Sequence, residues 1–220
     1  MAALDVIQES MDDSGLPYQE AKGDAAFYGP KIDFIIKSAI GTEYAISTNQ
    51  LDFLATERFG LTYRGEDAKD YPVYVIHRAP LGSHERFIAF LLEHYKGAFP
   101  VWLAPVQVVV IPVSEKFTSY AAQVYDRLMS SPVRNGSLGF RVELDATSDR
   151  MQKKVRNALV RKIPLVLVVG GAEEAAESVA LRTRSGADLG QVGLSEFIDV
   201  LRAAVEQRDD TPFQQHFGGE

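Results

Sequence analysis

The chain has 220 residues, 46% hydrophobic and 24% charged, which is the composition of an ordinary globular protein. Its formal net charge of −7 argues against indiscriminate nucleic-acid binding but leaves room for a local basic patch. No apolar run approaches the roughly 20 residues of a membrane helix. The absence of cysteine excludes disulfides and thiolate metal sites and favours a cytoplasmic location.

The first elements predicted are a helix and a hairpin. Apolar residues share one face of a helix over residues 2–14, which Gly15 ends. Alternating patterns then predict strands over 31–37 and 43–53, which the turn at Gly41 joins as an antiparallel hairpin. On the second strand Thr48 and Gln50 share a face with apolar neighbours. That face either runs out to solvent or holds a polar ligand.

Residues 71–95 predict a strand, a tight turn and an amphipathic helix. Ser83 is suited to cap the helix, and Arg86 follows in its first turn. The helix macrodipole disfavours a cation there by about 0.3–1 kcal/mol, so an anion outside the helix is the natural reason for tolerating it. His77 lies at the strand end beside Arg78.

The second half has a different pattern. Residues 54–70 have no clear period and are predicted to be a loop. The proline-rich connector 97–105 suggests a domain boundary, which gives a first domain of residues 1–103 and a second of residues 104–207. The tail, 208–220, is predicted to be mobile. Four strands alternate with three helices after the boundary. This order predicts an α/β fold with a small, mixed but mostly parallel sheet and helices on both faces. The strands are 106–113, 140–144, 165–169 and 179–184, and the helices are 115–130, 149–161 and 194–206.

A basic cluster lies on the second of these helices. It is either the solvated face of an amphipathic helix or, with Arg182 and Arg184 nearby, a surface that meets phosphates. Phosphate-loop, dinucleotide-binding and zinc-protease motifs do not occur in the sequence. The cluster comprises Arg150, Lys153, Lys154, Arg156, Arg161 and Lys162.

Four motifs, in the right order, resemble the threonyl-tRNA synthetases. The resemblance covers about residues 5–205 and corresponds to the C-terminal half of that family. It implies an antiparallel remnant of a class II catalytic domain, which includes the third signature motif, followed by an anticodon-binding domain. The four motifs are Phe27-Tyr-Gly-Pro-Lys-Ile-Asp-Phe, Asn49-Gln-Leu-Asp-Phe, Val75-Ile-His-Arg-Ala-Pro-Leu-Gly-Ser-His-Glu-Arg-Phe and Trp102-Leu-Ala-Pro-Val-Gln-Val. A further stretch, Leu181-Arg-Thr-Arg-Ser-Gly-Ala-Asp-Leu-Gly, resembles the family's anticodon-binding domain.

The resemblance also implies roles for individual residues. Arg86 matches the catalytic arginine that binds the phosphates of ATP, which enters with Mg²⁺. His77 matches one of the three ligands of a zinc ion that holds threonine and rejects valine. The family's positions around the amino acid and the adenylate match Tyr28, Lys31, Gln50 and Ser83. Its positions that contact the anticodon of threonine tRNA match Glu173, Arg182 and Arg150.

The departures from the family pattern concern catalysis. A cysteine and a second histidine that complete the family's zinc site are missing, as are the first two signature motifs and the editing domain. Ala45 replaces a glutamine that many relatives place there. We therefore expect part of a threonine–tRNA ligase, a homodimer when complete, which is inactive as this chain alone.

Two alternatives remain. One is a non-catalytic tRNA-binding module or paralogue. It would differ from part of a ligase because its first half would bind neither ATP nor zinc. The other is a nucleotide-binding α/β domain unrelated to tRNA, although it would lack any phosphate-loop motif.

Overall fold

The structure, a computed structural model, describes residues 2–133 and 139–218. They divide into two compact units, one ending at His94 and the other beginning at Tyr95. The connector over 97–105 thus belongs to the second unit, where Val101 and Ala104 are buried. Within the described ranges, no helix is both long and apolar enough to cross a bilayer.

The first unit is built on a three-stranded antiparallel sheet. Its strand order is β1–β2–β5, so the predicted hairpin and the strand of residues 71–95 form one sheet. A separate two-stranded ribbon pairs Thr62–Arg64, in the region predicted to be a loop, with Asp70–Pro72, which begins at the last residue of that region. The elements are α1 (Ala2–Ser14), β1 (Lys31–Lys37), β2 (Glu43–Asp52), α2 (Leu54–Phe59), β3 (Thr62–Arg64), β4 (Asp70–Pro72), β5 (Val75–Ala79) and α3 (His84–His94).

The region 54–70 is more ordered than predicted because local hydrogen bonds hold it. The carboxylate of Asp52 accepts the backbone N–H of Ala55 at 2.8 Å, at the start of α2. Arg64 forms an ion pair with Asp70 across the β3–β4 ribbon, at 3.1 Å. Elements of six and three residues are too short to show a period in the sequence.

Apolar side chains of the first unit are largely exposed. Phe27, Tyr74 and Ile76 are 88%, 75% and 64% exposed. Every buried hydrophobic residue in the described ranges lies at Val101 or beyond. The hydrophobic core of the described chain is therefore the core of the second unit.

The second unit has a five-stranded mixed sheet of order β10–β9–β8–β6–β7. Strand β6 runs parallel to both β7 and β8, whereas β9 is antiparallel to its two neighbours. The elements are β6 (Val108–Pro112), α4 (Thr118–Met129), β7 (Val142–Leu144), α5 (Met151–Val160), β8 (Leu165–Val169), α6 (Gly171–Ala175), β9 (Ser178–Thr183), β10 (Asp188–Gly193), α7 (Leu194–Gln207) and α8 (Thr211–Phe217).

Both faces of this sheet are covered, because alternate residues of the buried strands point to opposite sides. Val108 and Val110 belong to a core with α4 and α7. Val109 and Ile111 belong to a second core with α5. The predicted α/β architecture with helices on both faces is confirmed.

The tail from residue 208, predicted to be mobile, contains α8 instead. Phe213 is 6% exposed, and its ring meets that of Phe197 edge to face at 6.2 Å between centroids. The carboxylate of Asp210 accepts the backbone N–H of Val101 at 3.0 Å, and burial raises the pKa of Asp210. A helix of seven residues is too short to give a periodic signal, so only its packing reveals it.

Truncating Phe213 tests this packing. Phe213→Ala leaves a cavity beside Phe197, and we expect the free energy of unfolding to fall by about 3–5 kcal/mol. Gln214→Ala, at an exposed position of the same helix, is the matched control and should change stability by less than about 0.5 kcal/mol. Urea unfolding followed by circular dichroism measures both; equal effects would show that α8 does not pack on the core.

Candidate functional site

Three predicted site residues form a row across the sheet of the first unit. Gln50 on β2 pairs directly with Lys31 on β1 and with His77 on β5. Side chains of directly paired residues in an antiparallel sheet project from the same face. The register therefore brings together residues from three separate sequence motifs.

Tyr28 joins the row through a hydrogen bond. Its hydroxyl donates to Oε1 of Gln50 at 2.6 Å, and its ring lies 6.1 Å from that of His77, edge to face. Gly29 makes this position possible: a Cβ there would lie 2.1 Å from the carbonyl oxygen of Leu51. The glycine thus lets the chain lie against β2 with Tyr28 over Gln50.

Asp52 is a member of the site that the sequence prediction missed. It lies two residues after Gln50 on β2, and therefore on the same face. Its Oδ2 is 2.8 Å from Nε2 of His77. This hydrogen bond and the N–H of Ala55 hold the pKa of Asp52 below its ordinary value. The period-two spacing from Gln50 was the available signal.

Lys31 is held by two carboxylates. Its Nζ lies 2.7 Å from Oδ2 of Asp33 and 3.2 Å from Oδ2 of Asp24. The hydrogen bond with Asp33 raises the pKa of Lys31. Burial opposes ionisation of Asp33, yet the bond from Lys31 keeps the pKa of that carboxyl below its usual value. Lys31 is therefore a fixed positive charge at one end of the row.

Ser83 and Arg86 lie at the turn that follows β5. The hydroxyl of Ser83 accepts the backbone N–H of Arg86 at 3.3 Å, which makes Ser83 a helix cap as predicted. The Arg86 side chain is exposed and makes no ion pair with any described residue. An exposed, unpaired guanidinium at a helix start can meet an anionic ligand.

The described residues do not by themselves fit a zinc ion. No group of three histidine, aspartate or glutamate side chains that could hold a metal occurs in the described ranges, and the sequence has no cysteine. A structural or catalytic zinc needs at least three protein ligands. His77 is the single imidazole of the row.

In the second unit, the three predicted anticodon contacts fall at two places. Arg150 lies between β7 and α5, and Glu173 lies in α6, which follows β8. Because β7 and β8 both run parallel to β6, the two residues lie at the same, carboxyl-terminal edge of the sheet. Arg182 pairs with Val166, towards the opposite end of β8. Glu173 accepts the N–H of Gly170 at 2.9 Å, and Arg182 forms an ion pair with Asp188 at 2.7 Å.

The basic cluster of α5 is smaller than the sequence suggests, because four of its six cations bind groups of the protein. Arg161 makes two hydrogen bonds to Glu143, at 2.7 and 2.8 Å. Arg150 and Arg156, both exposed, form no ion pair within the described residues. The other engaged cations are Lys153 with Asp149, Lys154 with the carbonyl of Asp145, and Lys162 with the carbonyl of Lys96.

Two family models match the chain in sequence order. Residues 2–95 match the class II core domain of tRNA synthetases (G, H, P, S and T), and residues 107–204 match an anticodon binding domain. The chain belongs to the class II aminoacyl-tRNA synthetases. The resemblance that the motifs suggested is thereby confirmed.

Within this family the chain is similar to threonine–tRNA ligases. It is 47% identical to that of a strain of Thermus thermophilus over 208 residues, which is 94% of this chain and 30% of the relative. It is 45% identical to that of Carboxydothermus hydrogenoformans over 206 residues, or 94% of this chain and 31% of the relative. The chain thus spans about 30% of the length of these curated relatives.

A solved structure of a threonyl-tRNA synthetase domain is also similar to this chain. The RNA binding domain of threonyl-tRNA synthetase from Cryptosporidium parvum superposes with a TM-score of 0.79 at 34% identity. The match covers 90% of this chain and 49% of the solved one.

The ion pair between Glu143 and Arg161 predicts a dependence of stability on pH. The hydrogen bonds from Arg161 lower the pKa of Glu143, so the pair stabilises the fold above the unfolded-state pKa and loses this effect as pH falls through the folded-state pKa. Because both side chains are about half exposed, we expect Arg161→Gln to cost no more than about 1 kcal/mol at pH 7.

The cost should shrink below about pH 4, where glutamate is protonated. Urea unfolding at pH 7 and at pH 3 measures the cost of Arg161→Gln. Arg202→Gln, which removes a pair with the 72% exposed Asp199 on α7, is the control for a general charge effect. A cost for Arg161→Gln that is equal at pH 7 and pH 3 would contradict the assignment.

Proposed function

We propose that this chain works as part of a threonine–tRNA ligase, which activates threonine with ATP and transfers it to threonine tRNA. The row of Lys31, Gln50 and His77, with Tyr28 bonded to Gln50, is the observation that carries the proposal. Residues from separate motifs converge on one face of the sheet, and the relatives of this chain are named for that activity. A homodimer and a cytoplasmic location are further predictions of the resemblance.

The first unit supplies groups around the amino acid and the adenylate. Gln50 offers an amide whose Oε1 is already fixed by Tyr28, so its NH₂ group is the part available to a ligand. Lys31 contributes a positive charge that two carboxylates hold in place. Groups positioned in this way bind a polar substrate without having to be ordered on binding.

Arg86 binds the phosphates of ATP in this proposal. A guanidinium stays charged and offers a rigid fork of donors that matches phosphate oxygens. Charge that develops on the leaving pyrophosphate during adenylate formation is stabilised by such a donor. The free side chain of Arg86 and the Ser83 cap that fixes its helix support this role. ATP brings Mg²⁺ as part of the substrate.

The second unit recognises the anticodon. Arg150 and Glu173 approach RNA from the carboxyl-terminal edge of the sheet, and Arg182 from β9, towards the opposite end of β8. Arg156 joins them as a phosphate contact, because it is exposed and unpaired. The small number of free cations suits a surface where phosphate contacts position the RNA and a few polar groups read bases.

One observation favours a second candidate, a tRNA-binding module without catalysis. The buried hydrophobic residues of the described chain all lie in the second unit, which can therefore hold RNA independently of the first. The described residues also lack a complete zinc site. The candidates differ in whether the first unit takes part in threonine activation.

ATP–pyrophosphate exchange with threonine separates these candidates. We expect no exchange by the chain alone, because it spans only about 30% of its relatives. Addition of a fragment with the remaining length of the T. thermophilus relative should restore exchange, and Arg86→Ala should abolish it. Arg58→Ala, at an exposed arginine on α2, is the control. No exchange under either condition would leave the non-catalytic module.

Arg182→Ala tests anticodon recognition. We expect binding to threonine tRNA to lose about 1–3 kcal/mol, with little effect on a tRNA that bears another anticodon. Asp188→Ala removes the ion-pair partner but leaves Arg182, and should preserve discrimination between the two tRNAs. Filter binding at fixed salt measures the affinities of the natural chain and of the two variants for each tRNA. Equal losses for both tRNAs in Arg182→Ala would show that this arginine contacts only the RNA backbone.

A further inference from the structure

Asp52 is fixed from two sides at the end of β2. Its Oδ2 contacts Nε2 of His77 and its Oδ1 accepts the N–H of Ala55, each at 2.8 Å. The Asp52 side chain is only 13% exposed, whereas that of His77 is 52% exposed. The carboxylate is therefore a rigid, largely enclosed group against which an accessible imidazole rests.

This pair differs from an ordinary surface ion pair. His216 also contacts a carboxylate, Glu196, at 2.7 Å, but those side chains are 46% and 53% exposed and both can turn into solvent. Asp52 cannot, because its second oxygen caps α2. The orientation of the His77 ring is thus linked to the start of that helix.

An enclosed carboxylate determines which imidazole nitrogen carries the proton. An ionised carboxylate only accepts hydrogen bonds, so the nitrogen that faces it must be a donor. In a neutral imidazole one nitrogen donates and the other has a free lone pair. With Nε2–H donated to Asp52, Nδ1 is left as the free nitrogen of His77.

We propose that Asp52 is a positioning residue for the amino-acid site: it holds His77 in the Nε2–H tautomer, so that Nδ1 is the nitrogen available to a ligand of the row. This inference rests on the proposed function, since the row is the proposed threonine site. Asp52 acts through His77 and contacts no substrate itself.

The variants separate the two contacts of Asp52. Asp52→Ser keeps a hydroxyl that can cap α2 but is too short to reach His77. Asp52→Asn is the isosteric variant: the N–H of Ala55 takes its one amide oxygen, so its NH₂ group, which only donates, faces Nε2 of His77. Asp70→Ser, at an exposed aspartate paired with Arg64 on the neighbouring ribbon, is the control for loss of a carboxylate.

Nitrogen NMR of ¹⁵N-histidine-labelled chain gives the readout, since the protonated and free nitrogens of an imidazole resonate far apart. The spectra are recorded near pH 9, well above the usual imidazole pKa of about 6.5. His77→Gln assigns the signal, and His216 serves as an internal reference. We expect His77 to be almost wholly the Nε2–H tautomer in the natural chain and in Asp70→Ser.

Asp52→Ser should convert His77 to a mixture of tautomers, and Asp52→Asn should favour the Nδ1–H tautomer, because an NH₂ group that faces Nε2 makes that nitrogen the acceptor. A predominant Nδ1–H tautomer in the natural chain would overturn the proposal without recourse to any variant. An unchanged tautomer in a folded Asp52→Ser chain would overturn it as well.

The exchange assay, with the complementing fragment present, tests the link to threonine. We expect Asp52→Ser to raise KM for threonine by about tenfold or more, the effect of losing one hydrogen bond to a charged group, with KM for ATP unchanged. An unchanged threonine KM would refute the positioning role while leaving the ligase proposal intact. Absence of exchange in the natural chain, with the tautomer as expected, would instead refute the ligase proposal and with it the role in threonine binding.

Discussion

The register of β2 against its two neighbours is the constraint on which the first unit's site depends. Because side chains in a strand alternate between faces, a slip of one residue would send Gln50 to the far side of the sheet. The row Lys31–Gln50–His77 exists only in the observed register. The close approach at Gly29 then places Tyr28 on the same face, so one pairing pattern assembles four residues from three motifs.

The second unit depends on a different constraint, a sheet that is buried on both faces. Helices must cover it, and their polar groups then bind one another as well as solvent. Arg161 is an example: its charge lies on a basic helix, yet Glu143 on β7 satisfies it. Within the basic cluster of α5, the described residues leave only Arg150 and Arg156 without an ion-pair or carbonyl partner. In the proposed function, these cations position RNA through its phosphates and a few polar groups read the bases.

The accuracy of prediction followed the length and periodicity of each element. The β1–β2 hairpin, the strand and helix that contain His77 and Arg86, and the buried strands β6 and β8 could be predicted because each has a repeat of sufficient length. Helices α2, α6 and α8 and the β3–β4 ribbon could not. Their stability comes from caps, ion pairs and single buried aromatics such as Phe213, which leave no period in the sequence.

Local patterns and motif order were enough to predict the two-part organisation, the family resemblance and the residue types at the candidate site. Which of those residues have partners is known only from the folded chain. Asp52 and His77 are 25 residues apart in the chain, and Glu143 and Arg161 are 18 apart. Such pairs form only when folding brings separate elements together, so a local pattern contains no sign of which charges are engaged and which stay free for a ligand.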